Sequence, residues 1–285
     1  MKTKMSSIKI VFRARNLIFI SVFFYSSTVS FAQEITEENY LKLDKELWEQ
    51  VEIDMGKLYE FFDKHPEKID SLIKVADSIS NVANKKNREL ATKYASVPSG
   101  LQRLYQVRLE LPKDTLQSIL SRLPDNMRNS PYKKSILLHI NSEQIKEGNR
   151  FYDFEAVTSE GKKFELSSLK GKNVLLLYGG LYCMREEGRR YLDSLYRETY
   201  RNDFEIVVYC PVNNLESLKE ERKIYSCDYI LVSDFLQDHT PVKILYGAQG
   251  TPTCFFISKQ GVMEMKTEGL HGNEKQINEL VYRNK

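Results

Sequence analysis

The sequence predicts an α/β fold for the C-terminal half, a mixed β-sheet flanked by helices, preceded by an all-α domain. Two observations carry this reading. From Thr36 to about residue 146, apolar residues recur at intervals of three and four, the period of a helix face. After Gly148 short apolar runs alternate with helical stretches in the order strand, helix, strand, helix, strand, hairpin, helix, which is the order of a mixed sheet with crossover helices. The chain has 285 residues, 41% of them hydrophobic and 28% charged, which supplies material for a core and excludes collagen-like and low-complexity classes.

Residues 1–32 are read separately. Lys2, Lys4, Lys9, Arg13 and Arg15 precede the apolar run Leu17 to Phe24, and Ser30 with Ala32 places small residues at −3 and −1 of a cleavage after Ala32. This is the grammar of a signal peptide, and the run is shorter than the roughly 20 residues of a spanning helix, so no stable membrane span is expected after cleavage. No Cys lies at the junction to carry a lipid anchor. The mature chain is therefore expected in the periplasm or cell envelope, where thiols meet oxidants. The formal charge of +3 resides in this segment; without it the remaining basic residues nearly balance the 39 acidic ones, which leaves no electrostatic footprint for nucleic acid.

Residues 33–147 read as the helical domain. Tyr40, Leu43, Leu47, Val51, Met55, Leu58 and Phe62 form the first stripe, behind a Thr36 cap and before the stop His65-Pro66. Ile69, Leu72, Ile73, Ala76, Ile79 and Ala83 predict a second long helix. Shorter ones fit Leu101 to Leu109, Thr115 to Leu123, and a last one entered through Ser130-Pro131, where proline suits a first turn. Residues 148–285 read as the second domain. Phe154 to Val157 and Lys163 to Leu166 flank Ser159-Glu160-Gly161 as a hairpin. Val174 to Tyr178 and Phe204 to Tyr209 are continuous apolar runs that suit strands buried on both faces. Helices are expected around Gly188 to Tyr196, Leu215 to Tyr225 and Glu274 to Tyr282. A short strand fits Tyr229 to Val232, and a hairpin fits Thr253 to Ile257 with Val262 to Lys266.

Four fragments in this half occur in the order of a known family. They are Phe151-Tyr152-Asp153-Phe154 at an entry usually written Pro-Asp-Phe, Leu166 to Lys172 as an LSxLKGK-like turn, the run from Val174 to Tyr182, and Gly250-Thr251-Pro252-Thr253, similar to GVPT. Together they resemble the thioredoxin-like fold of the TlpA/ResA and AhpC/TSA type over residues 148–285. The resemblance implies thiol-disulfide chemistry without a cofactor, a nucleophilic cysteine at Cys183 and a cis-proline at Pro252. The motif departs from WCxxC: Tyr182-Cys183-Met184-Arg185-Glu186 keeps the first cysteine and places Glu186 where the resolving one would stand.

A thiol attacks as its thiolate, and the junction of a strand with a following helix favours the anion through free backbone donors and the helix dipole. Cys183 is predicted at such a junction. Arg185, Arg189 and Arg190 would reinforce the effect, Glu186 and Glu187 oppose it, and Glu186 also reads as an ordinary first-turn carboxylate. Thr251, turned by Pro252, would present its backbone to an extended substrate peptide as an added strand. Tyr182, Glu186, Thr251 and Pro252 are thus the expected substrate-binding residues.

Cys210, at the end of the strand beside Cys183, is the candidate resolving thiol, although a small buried residue at a strand end is the commoner role. Cys254 reads as core and Cys227 as a thiol in a connection; a structural disulfide among the four is an alternative. No CxxC or CxxH pair starts a zinc site, so no metal is expected. His65, His139, His239 and His271 are scattered. The leading functional expectation is an exported thiol-disulfide oxidoreductase-like protein that uses Cys183 alone at the active-site position, with a disulfide-bearing envelope protein or redox partner. The alternatives are a non-catalytic binding module and a peroxiredoxin-like peroxidase. For the last, CxxE fits, but Gly180 and Leu176 stand where peroxidases carry a hydroxyl residue and a proline.

Overall fold

The computed structural model describes residues 34–283, and the signal peptide expected over 1–32 lies outside the described residues. Helix α1 (Glu37–Lys64) starts where its cap predicts, the Thr36 side chain accepting from the Asn39 N–H at 3.2 Å. A single 3₁₀ turn, Pro66–Lys68, leads into α2 (Ile69–Lys93), and the two long helices pack along each other. Of the α1 stripe, Tyr40 and Leu58 are buried while Leu43, Leu47, Val51, Met55 and Phe62 are half-buried. Helix α3 (Pro98–Gln106) covers only the start of α1, where Arg103 clamps Asp44 through two contacts of 3.0 Å. Helices α4 (Lys113–Ser121) and α5 (Pro131–Asn141) complete this layer, with Pro131 at the first helical position.

The seven strands are β1 (Glu155–Thr158), β2 (Lys163–Glu165), β3 (Asn173–Tyr178), β4 (Phe204–Tyr209), β5 (Ile230–Ser233), β6 (Thr253–Ile257) and β7 (Met263–Glu268). They form one mixed sheet ordered β2-β1-β5-β4-β3-β6-β7. The centre β3-β4-β5 is parallel; β6 runs antiparallel to β3, and β7 to β6. Every residue of β3 and β4 is buried, as their uninterrupted apolar runs require of strands covered on both faces. Leu175 and Leu177 point to the face covered by α6 (Glu186–Glu198), α7 (Leu215–Tyr225) and α9 (Glu274–Tyr282). Val174, Leu176 and Tyr178 point to the other, packing with Val242 of a short helix, α8 (Pro241–Leu245).

Helix α8 is an element the sequence pattern does not announce. Thr240 caps it, its hydroxyl accepting from the Val242 N–H at 3.2 Å, with Pro241 in the first turn. Ile244 of α8 faces away from the sheet and enters the core formed by α3, α4 and α5. The helical layer is further tied down by Ile145 N–H donating to Leu245 O at 2.8 Å and by the Tyr105 hydroxyl donating to Asp238 O. From Ile35 onward the chain is one compact unit.

Candidate functional site

The centre of the sheet ends at Tyr178 and Tyr209, whose rings stack 5.5 Å apart. The chain leaves β3 through Gly179 and Gly180, both of whose N–H groups donate to Tyr209 O, at 3.0 and 3.3 Å. Gly179 sits at φ +125, and a Cβ there would lie 2.7 Å from the Thr251 Cβ, so this position requires glycine if the two segments are to touch. The close approach brings the turn carrying Cys183 against the segment before β6. There the Thr251–Pro252 peptide bond is cis, and the Pro252 carbonyl accepts from the Gly269 N–H at 2.7 Å.

Cys183 is partly exposed, and its Sγ lies 3.3 Å from Thr251 Oγ1. The neighbouring Tyr182 phenol is pushed up to about 12, first by its interaction with the Cys183 thiol and then by burial. Thr251 itself is exposed and Pro252 is buried. Tyr182, Cys183, Thr251 and Pro252 are therefore assembled at one place.

The other expected residues stand differently. Helix α6 begins at Glu186, with Arg185 as a cap residue that offers no side-chain bond. A separate turn, closed by Met184 N–H donating to Leu181 O at 3.1 Å, holds Cys183 ahead of the helix rather than in its first turn. The dipole acts within a turn of the helix end, so its effect on the sulfur is weaker than a cysteine in the first turn would feel. The side chain of Glu186 is 70% exposed and pairs with Arg190 at 3.8 Å, which turns both toward solvent. Arg189 donates to Met184 O and covers the Tyr225 ring at 5.2 Å. Cys210 is 1% exposed within the core, its thiol bonded weakly to Val208 O at 3.9 Å and pushed well up by burial, with Glu221 and Cys227 adding to the effect. Cys227 and Cys254 are also buried, pushed up to about 11 and about 12 chiefly by burial. All four cysteines are free thiols. Among the described residues no group of His, Cys, Asp and Glu is arranged to hold a metal ion, and no helix is long and apolar enough to cross a membrane.

The sequence pattern does not single out Gly179, although a Gly-Gly pair directly after a buried strand is a visible sign of close backbone approach. Nor does it reveal Glu221, which arrives from α7 on the far side of the same turn; nothing local marks it.

No protein-family model matches the chain. The thiol-disulfide oxidoreductase ResA of Bacillus anthracis is 30% identical over 144 residues, which are 47% of this chain and 80% of that protein. This chain belongs to the ResA family of thiol-disulfide oxidoreductases. A ResA of Bacillus cereus is 29% identical over 128 residues, 45% of this chain and 72% of that protein. The thioredoxin-like protein YneN of Bacillus subtilis is 28% identical over 124 residues, 42% of this chain and 70% of that protein. Among solved structures, the thioredoxin domain of a thiol-disulfide oxidoreductase from Bacteroides vulgatus shares 19% identity, covering 48% of this chain and 99% of its own, with a TM-score of 0.43. The ResA likeness thus accounts for about half of the chain.

Proposed function

We propose that this ResA-family chain is an exported thiol-disulfide exchange protein that reacts through Cys183 alone at its active-site position. The observation that carries the reading is the Thr251 hydroxyl 3.3 Å from a partly exposed sulfur, with the Tyr182 phenol interacting with the same thiol, while the other three thiols are buried. Both hydroxyls can donate to a thiolate, and a hydrogen bond to the charged form favours it. Export is supported by the basic, then apolar, then small-residue order of 1–32.

In the exchange, the Cys183 thiolate attacks one sulfur of a substrate disulfide. A new bond forms between Cys183 and that sulfur, the substrate S–S bond breaks, and the second substrate sulfur leaves with the electron pair as a thiolate, which takes a proton from water. A further thiolate, from the substrate or from a small thiol, then attacks the substrate sulfur of the mixed disulfide and expels Cys183 as the thiolate. Resolution from outside follows from the burial of Cys210, which would have to leave the core to attack. Thr251, exposed beside the sulfur, offers its main chain to an extended substrate segment, and Tyr182, 58% exposed, offers a ring for that segment to pack on. Glu186, turned to Arg190, takes a rim position where it screens rather than contacts the reacting atoms.

The test is to mix the reduced full chain with a disulfide-containing peptide, quench with acid and read the intact mass. One peptide adduct mapping to Cys183 and absent from Cys183→Ser is the expected result. No adduct, or equal adducts in Cys183→Ser, would reject the exchange reading in favour of a binding module.

A further inference from the structure

The underside of the Cys183 turn faces a carboxyl group that the exchange scheme does not use. Glu221 lies on the inner side of α7, and its Oε2 is shielded from solvent with no hydrogen-bond partner. The carboxyl faces the backbone N–H of Leu181, which favours its charge, but burial is the larger influence and pushes it up from the ordinary carboxylate range. A Cβ placed on Gly180 would sit 3.9 Å from that Oε2 and 3.2 Å from the Tyr182 ring, so the carboxyl and the phenol flank one glycine. The cation that follows it in the helix is committed elsewhere: Arg222 pairs with Glu160 at 3.2 Å.

We propose that Glu221 is a positioning residue for Cys183: its carboxyl seats the Gly180 to Tyr182 turn and, by carrying or losing its proton, sets how much of the neighbouring sulfur is thiolate. This rests on the reading of Cys183 as the reacting group. When Glu221 ionises, its proton passes to water and a negative charge remains beneath the turn. A second negative charge on sulfur is then disfavoured, because like charges near each other oppose ionisation. The groups facing this carboxyl are few. On the turn there is Tyr182, at the end of β4 Cys210, and on α7 itself Glu220 and Tyr225. Arg189 of α6 reaches this cluster only across the Tyr225 ring, with its Nη1 engaged by Met184 O. Glycine at 180 is part of the same device, since the backbone there has φ +74 and a Cβ would press on the Tyr182 ring at 3.2 Å.

The experiment is the rate of Cys183 alkylation by iodoacetamide against pH, followed by peptide mapping, for the full chain, Glu221→Gln and Glu221→Ala. The glutamine keeps an oxygen for the Leu181 N–H and cannot ionise. It should alkylate several-fold faster than the parent, up to about tenfold, near neutral pH, with its profile shifted to lower pH and its melting temperature unchanged. Glu221→Ala should show the same acceleration together with a lower melting temperature, because the turn loses its seat. Three superimposed profiles, or a Glu221→Gln variant slower than the parent, would overturn the proposal. The readout is independent of disulfide exchange: a Cys183 that alkylates in this pattern but forms no mixed disulfide would reject the functional reading and leave this one standing.

Discussion

The Thr251 hydroxyl lies against Cys183 and can be removed without touching the core. Thr251→Val keeps the shape beside Sγ and deletes the partner at 3.3 Å, so alkylation of Cys183 at neutral pH should slow by roughly three- to tenfold, the worth of one hydrogen bond of about 1 kcal/mol. Thermal melting should hardly move, and an alkylation rate equal to the parent's would show that this hydroxyl does not reach the thiolate. Gly179→Ala is the opposite case. Its methyl would meet the Thr251 Cβ at 2.7 Å in a left-handed backbone, which should cost about 1–3 kcal/mol in a denaturant titration. Cys183, Thr251 and Pro252 are legible in the sequence because motif spacing marks them. Gly179 and Glu221 are not, because their roles arise only when β3, α7 and the segment before β6 are brought to one end of the sheet.

The elements were legible where one rule dominates the chain. Uninterrupted apolar runs gave β4 and β6 their observed ends at Phe204–Tyr209 and Thr253–Ile257, since strands buried on both faces admit few polar residues. Helix α8 was not legible: five residues are too few for a periodic stripe, and Thr240-Pro241 is its only sign. The stretch Gly188 to Tyr196 marks α6, which begins slightly earlier, at Glu186, behind a separate turn that holds the buried Met184. The stripe of α1 predicted more burial than the helix receives, since one neighbour along most of its length leaves the other side in water. Near its start, Asp44 accepts from Arg103, Trp48 and Tyr40 at once. Asp44→Ala should therefore lower stability by about 1–3 kcal/mol, read from thermal melts, with Cys183 alkylation unchanged. A loss of alkylation would instead mean that the α1–α3 clamp is felt at the turn.

Across the whole molecule, the helical layer meets the α/β part at α8 and at a set of buried polar groups. Arg108, 2% exposed, lies over the Tyr105 ring at 4.2 Å and donates to Tyr105 O at 2.8 Å. His139 nearby is held down to about 4, first by burial and then by the positive Arg108 and Lys113. His239, whose ring meets Tyr132 edge-on at 4.5 Å, is lowered in the same direction by burial. These histidines are neutral in the fold, and the unfolded chain binds the protons more readily. Stability is therefore full above about pH 6.5 and is lost as pH falls toward 4. Melting temperatures at pH 7.5, 5.5 and 4.5 should decline in that order, and His139→Gln should flatten part of the slope; a slope unaltered by H139Q would place the acid sensitivity elsewhere.

The four thiols divide into one open beside Thr251 and three sealed in the core, and native-state labelling tests that division directly. Brief exposure of the reduced, folded chain to iodoacetamide, followed by unfolding, a second isotopic label and peptide mapping, should put the first label on Cys183 and the second on Cys210, Cys227 and Cys254. First-label incorporation at Cys210 matching that at Cys183, or none at Cys183, would contradict it.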